Sequence, residues 1–91
     1  MAFMVLHFET DDYDAWKRMF DSDPAGRREA AKGHIVLRGV DNPNEVFVRA
    51  EFDSVERAQS FRKRLLDSGV LNTQNVKTGP TVVEAVEAIN Y

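Results

Sequence analysis

The sequence predicts an α+β protein of the ferredoxin-like kind: a four-stranded antiparallel sheet in the order 4-1-3-2 with its main helices on one face. Three observations lead there. Apolar residues alternate with a period of two in four stretches, they recur at helical spacing in two, and the stretches follow one another as β-α-β-β-α-β. Two strand–helix–strand crossovers around a central hairpin then allow few other sheet orders.

Residues 2–9 alternate and are rich in β-formers, which marks a first strand. Asp11 or Asp12 supplies an N-cap, because a short carboxylate accepts bonds from the free N–H groups of a first helical turn. In the helix that follows, Tyr13, Trp16, Met19 and Phe20 share one arc, with Asp14, Lys17, Arg18 and Asp21 on the other. Asp23-Pro24 reads as an N-cap with proline at the first helical position, so a short helix is expected to about Lys32, ended by Gly33. Residues 34–40 form the second strand and residues 45–52 the third, joined by the turn signal Asp41-Asn42-Pro43-Asn44. Asp53 with Glu56 resembles a capping box that opens a helix to about Ser68, with Val55, Ala58, Phe61, Leu65 and Leu66 on one face and Gly69 at its end. Residues 70–80 are expected as a loop, either a mobile lid or an arm toward a partner, and residues 81–90 as the last strand.

Side chains alternate across a strand, so each strand contributes two sets. The expected helix-facing sets are Met4, Leu6 and Phe8; Ile35 and Leu37; Val46, Val48 and Phe52; Val83, Ala85 and Ile89. The opposite face then holds Phe3, Val5 and His7; His34, Val36, Arg38 and Val40; Phe47, Arg49 and Glu51; Val82, Glu84 and Val86. A four-residue turn sets Val40 opposite Glu45, and hence His34 opposite Glu51, Val36 opposite Arg49 and Arg38 opposite Phe47. Seven of those thirteen positions are Phe or Val, more contiguous apolar surface than soluble monomers usually keep. A two-fold homodimer through the sheet is the expected solution.

A chain of 91 residues fits one domain, here residues 1–91, with a modest core. It contains no cysteine, so disulfides and thiolate metal sites are excluded and association is the remaining aid to stability. That composition is compatible with a reducing cytoplasm, the expected location. No apolar run approaches the ~20 residues that cross a bilayer, and the start reads straight into a strand without the basic region of a signal peptide. A net charge of −3 with interspersed signs argues against nucleic acid as partner, and Arg62-Lys63-Arg64 reads as a solvated helix face.

His7 is the first candidate for chemistry, on a central strand with its ring on the non-helical face. Pairing of the first and last strands is expected to bring it near Glu84, which would fix the tautomer of a general base. The alternative is a histidine that satisfies a neighbour inside the interface. Arg38 and Arg49 are placed to stabilise an oxyanion or, equally, to pair with Glu51, Glu84 or carboxylates of a partner. His34 pairs with Glu51 in a contact that needs no function, while Phe3, Val5, Tyr13, Trp16, His34, Phe47 and Glu51 complete the expected ligand-contacting set. Two histidines a strand apart make a poor metal signal, and neither a metal nor a cofactor is expected. There is no Gly-rich phosphate loop, no G-x-S-x-G and no cysteine nucleophile.

Val5-Leu6-His7, Asp12-Tyr13-Asp14-Ala15-Trp16-Lys17, Asp41-Asn42-Pro43-Asn44-Glu45-Val46 and Phe52-Asp53-Ser54-Val55-Glu56, in this order of elements, carry a resemblance. The chain resembles the dimeric α+β barrel superfamily, in particular small bacterial members near the antibiotic-biosynthesis-monooxygenase-like group. The resemblance implies a homodimer that binds a small hydrophobic or aromatic molecule between helices and sheet or within the barrel. It further implies a cofactor-independent oxygenase, cyclase or isomerase with a His base, or else a non-catalytic binding or stress-responsive module. The haem-degrading pattern expects asparagine on the first strand and tryptophan on the second main helix. This chain has His7 and Phe61 there, and its only tryptophan, Trp16, lies on the first helix, so haem degradation is not expected.

Overall fold

In the computed structural model, which describes residues 1–91, the chain runs β1 (Ala2–Glu9), α1 (Tyr13–Asp21), α2 (Arg27–Ala30), β2 (Gly33–Arg38), β3 (Glu45–Phe52), α3 (Val55–Ser68), a 3₁₀ turn (Val70–Thr73) and β4 (Asn75–Glu84). The four strands form one antiparallel sheet in the order β2-β3-β1-β4, the expected order read from the other edge. α1 and α3 pack on the same face, as expected for a ferredoxin-like sandwich.

Strict alternation in β1 decides that face. Ala2, Met4, Leu6 and Phe8 are buried, while Phe3, Val5, His7 and Glu9 lie on the open side. The same rule in β3 buries Val46, Val48, Ala50 and Phe52. Two core clusters result. Under α3, Ala2, Met4, Ala50 and Phe52 meet Ala58 and Phe61; under α1, Leu6, Phe8, Val46 and Val48 meet Trp16.

The caps explain the helix ends. Asp12 accepts the Ala15 N–H at 3.0 Å and opens α1. Ser54, rather than the expected Asp53, accepts the Arg57 N–H at 3.1 Å and opens α3, leaving Asp53 beside Lys32. Gly69 closes α3 at φ +74, a left-handed conformation open to glycine at little cost. α2 is shorter than expected, because Asp23 is itself left-handed and Gly26 is the residue before the helix. Asp23 still caps it from outside, accepting the N–H groups of Arg27 and Arg28 at 2.6 and 3.2 Å.

Two strands differ from expectation by a shift of parity. In β2, Arg38 pairs with Val46, Val36 with Val48 and His34 with Ala50, one residue off the expected register. Gly39 N–H bonds the Glu45 carbonyl at 3.0 Å, and residues 40–44 make a five-residue loop instead of a four-residue turn. A one-residue slip exchanges the faces of a strand. His34, Val36 and Arg38 therefore lie on the helical side, and Ile35 and Leu37 on the open side at 42 and 54 % exposure. The last strand begins at Asn75, within the expected loop, and ends at Glu84, so residues 85–91 continue beyond the sheet. Val82 pairs with Met4 and faces the helices, while Val83 pairs with Phe3 on the open side.

Candidate functional site

Between the two core clusters the sheet and helices enclose an apolar cavity of about 60 Å³, open on one side. Its floor is Met4 and Leu6 of β1 with Val48 and Ala50 of β3, and its walls are Trp16, Met19 and Phe20 of α1 and Phe61 and Leu65 of α3. Val70 and Leu71 of the 3₁₀ turn and the Asp23–Arg27 bend close the ends. Amphipathic spacing places these side chains: positions 16, 19 and 20 of α1 and 61 and 65 of α3 fall over the sheet. The space is less than half of the ~150 Å³ known to hold benzene, so a ring enters only as side chains move. Met19 and Leu65, half-buried and flexible, are the wall positions able to give way.

The wall is aromatic along α1. Trp16 stacks on Phe20 with ring centroids 4.9 Å apart, and Phe8 and Tyr13 tilt against Trp16 at 5.0 and 5.7 Å. Asp23 and Arg27 are the charged residues on the lining. The Arg27 guanidinium lies 3.7 Å over the Phe20 ring and donates to the Phe20 carbonyl at 3.2 Å. Burial pushes its pKa down, partly offset by Asp23. Sequence reasoning did not single out Arg27; the four-residue spacing from Asp23 was its only mark.

The expected ligand-contacting residues separate onto two faces. Trp16 lines the cavity, and Tyr13 borders it through Trp16. His34 sits edge-on to Phe20 at 5.1 Å, and Arg38 lies 4.1 Å over Tyr13, so both belong to the outer flank of α1. Arg38 also donates to the Pro43 carbonyl at 2.9 Å. Desolvation, then the charges of Arg27 and Lys17, hold the His34 imidazole below its ordinary pKa.

Phe3, Val5, His7, Phe47, Arg49 and Glu51 share the open face of the sheet. There His7 stacks on Phe47 at 4.2 Å and 9°, and Arg49 lies 5.2 Å over Phe3. Glu84 is not near His7. It pairs with Ala2 at the far end of β1, while His7 pairs with Thr78. The earlier start of β4 moved Glu84 away, and Glu45 takes its place with Oε1 3.3 Å from His7 Nε2. That nitrogen is shielded from solvent yet makes no well-oriented hydrogen bond. Likewise Lys32, not His34, is the partner of Glu51, at 3.6 Å. His7, Arg38, Arg49 and Glu84 thus do not form one cluster. No group of three or more His, Asp or Glu side chains gathers in metal-binding geometry.

Comparison of the whole fold with solved structures is decisive for its type. Rv0793 from Mycobacterium tuberculosis superposes with a TM-score of 0.69 over 98 % of each chain at 14 % identity. The chain has a ferredoxin-like α+β fold. A Deinococcus radiodurans protein described as a candidate antibiotic biosynthesis monooxygenase matches over 100 % of this chain and 98 % of its own, with a TM-score of 0.64 and 17 % identity. At these identities the likeness is one of fold. In sequence, the trigger factors of Bordetella pertussis and Bordetella parapertussis are each 34 % identical over 77 residues, 85 % of this chain. The chain spans only 18 % of the length of those relatives, so the likeness concerns a segment of them. No family model matches the chain.

Proposed function

We propose that the chain is a homodimeric small-molecule-binding protein whose ligand, an aromatic or other hydrophobic compound, occupies the cavity between α1, α3 and the sheet. The apolar space at the junction of the two core clusters carries this reading, because a cleft lined by apolar and aromatic side chains with a few polar groups is the usual form of a small-molecule site. The Deinococcus neighbour, described as a candidate antibiotic biosynthesis monooxygenase, is consistent with a ligand of this kind. Trp16 is the only tryptophan and lies on the cavity wall at 5 % exposure, so its fluorescence reports entry directly. Titration with small aromatic compounds should quench or shift that emission saturably in the native protein. Leu65→Phe, which narrows the cavity without adding a second tryptophan, should weaken the response; an unchanged titration in that variant would place the ligand elsewhere.

Dimerisation through the open face belongs to the same reading. Phe3, Val5, Ile35, Leu37, Phe47 and Val83 form its apolar part, and the exposed residues Val86, Ile89 and Tyr91 extend past the end of β4. Sedimentation equilibrium at micromolar concentration should return about twice the 10.3 kDa chain mass.

A second reading is an enzyme, a cofactor-independent oxygenase, cyclase or isomerase, with His7 as base acting on a ligand held between two sheets. The Glu45 carboxylate 3.3 Å from His7 Nε2, placed to orient the imidazole, favours it. Arg49 is the cation on that face able to hold an oxyanion, whereas Arg38 and Glu84 lie too far off to share the step. Here His7→Gln should remove turnover while leaving the Trp16 response intact. Full turnover in that variant would remove His7 from the mechanism.

A further inference from the structure

Arg27 is the one fully charged side chain buried on the cavity wall, and its partners do not account for its burial. Its side chain is 8 % exposed, yet only one donor, Nη1, has a hydrogen-bond acceptor, the Phe20 carbonyl. The nearest carboxylate, Asp23, stands 4.0 Å away and already accepts the backbone N–H groups of Arg27 and Arg28. A guanidinium removed from water is costly unless its remaining donors find acceptors. No Arg27 nitrogen is both sealed from solvent and unpaired, so its remaining donors keep some accessible surface. The rest of the cavity wall is almost wholly apolar, which strengthens any charge pairing made against it.

The surroundings bias the same spot toward negative charge. Lys17 approaches the Phe20 ring from one side at 6.0 Å and Arg64 packs on Phe61 at 5.8 Å. The acidic groups there are engaged: Asp21 is bonded to Lys17 at 2.6 Å, and Asp23 caps α2. An apolar slot with a fork-shaped cation at its end suits a molecule with an apolar body and one planar anionic group.

We propose that Arg27 selects the ligand: the cavity takes a small organic anion, an aromatic or short-chain carboxylate or phenolate, with its acidic group on Arg27 and its body against Trp16 and Phe61. This rests on the cavity being the ligand site, and it adds the ligand's charge class and the residue that reads it.

The test compares two probes of similar size, phenylacetate and 2-phenylethanol, by titrating Trp16 emission at pH 7.5 in the full chain. Native protein should bind the carboxylate about tenfold or more tightly over the alcohol, the worth of one charge-assisted hydrogen bond. Arg27→Met should bring the two affinities within about threefold by weakening only phenylacetate, and Arg27→Lys should keep part of the preference. Equal affinities in the native protein, or an undiminished preference in Arg27→Met, would overturn the proposal while leaving the cavity as a binding site. Silence of Trp16 toward both probes would end both readings. The native comparison stands by itself should Arg27→Met not fold.

Discussion

A histidine and an arginine on the flank of α1 make the clearest statements at the scale of single residues. His34 meets Phe20 edge-on, and desolvation together with Arg27 and Lys17 holds its imidazole below the ordinary value. As pH falls past about 6.5, the unfolded chain takes up this proton before the folded one. Stability is therefore lost on the acid side, from that pH down through the depressed folded value. In His34→Gln this part of the loss should be absent, so urea midpoints of variant and native protein should converge, or cross, between pH 7 and pH 5. Water screens a side chain this exposed, so the effect is modest. Parallel midpoints across that range would show that His34 titrates as it does in the unfolded chain. Arg27 stacks on Phe20 in a largely desolvated position, so its removal should cost about 2 kcal/mol of folding stability while changing ligand choice.

At the scale of elements, caps and backbone conformations decide where strands and helices stop. Ser54→Ala removes the acceptor for the Arg57 N–H and should lower stability by about 1 kcal/mol in urea unfolding. Gly79 shows why the start of β4 was not legible. Gly79-Pro80 reads as a breaker, yet β4 is an edge strand, where proline needs no ladder partner. A bulge between Val5 and His7 brings the Gly79 backbone against the Val5 carbonyl at φ +90. A methyl group there meets that carbonyl, so Gly79→Ala should destabilise by more than ~1 kcal/mol, the cost of φ incompatibility alone. A neutral result would mean the bulge relaxes freely. The parity of β2 was hidden for a related reason. Gly33-His34-Ile35-Val36-Leu37-Arg38 carries apolar residues on both faces, so its own alternation does not choose one. The loop chose it, with the Arg38 side chain bonded to the Pro43 carbonyl and Val40 left in solvent.

At the scale of the whole molecule, the corrected parity makes the open face more apolar on the β2 side than the sequence suggested. Ile35 and Leu37 replace His34 and Arg38 there, next to Phe47, while His7 and Arg49 remain. Leu37→Glu should shift the protein toward monomer at micromolar concentration, since a buried, unpaired carboxylate opposes association, while thermal unfolding of the protomer stays close to native. A dimer that survives Leu37→Glu and Phe47→Glu together would mean that the sheets do not face each other.

The sequence by itself determined the element order, the sheet order and the inner face of β1 and β3, because those strands alternate strictly and both helices are amphipathic. Trp16 on the sheet-facing side of α1 follows from helical spacing alone, and His7 on the open face from strand period. Only the tertiary structure decided which carboxylate stands beside His7, on which side His34 and Arg38 lie, and that Arg27 is buried. Each of those depends on a loop length, a bulge or a bend that shifts a strand or chain segment by one or a few residues. Such shifts leave local propensity unchanged, so pattern alone does not register them, while they set which side chains meet.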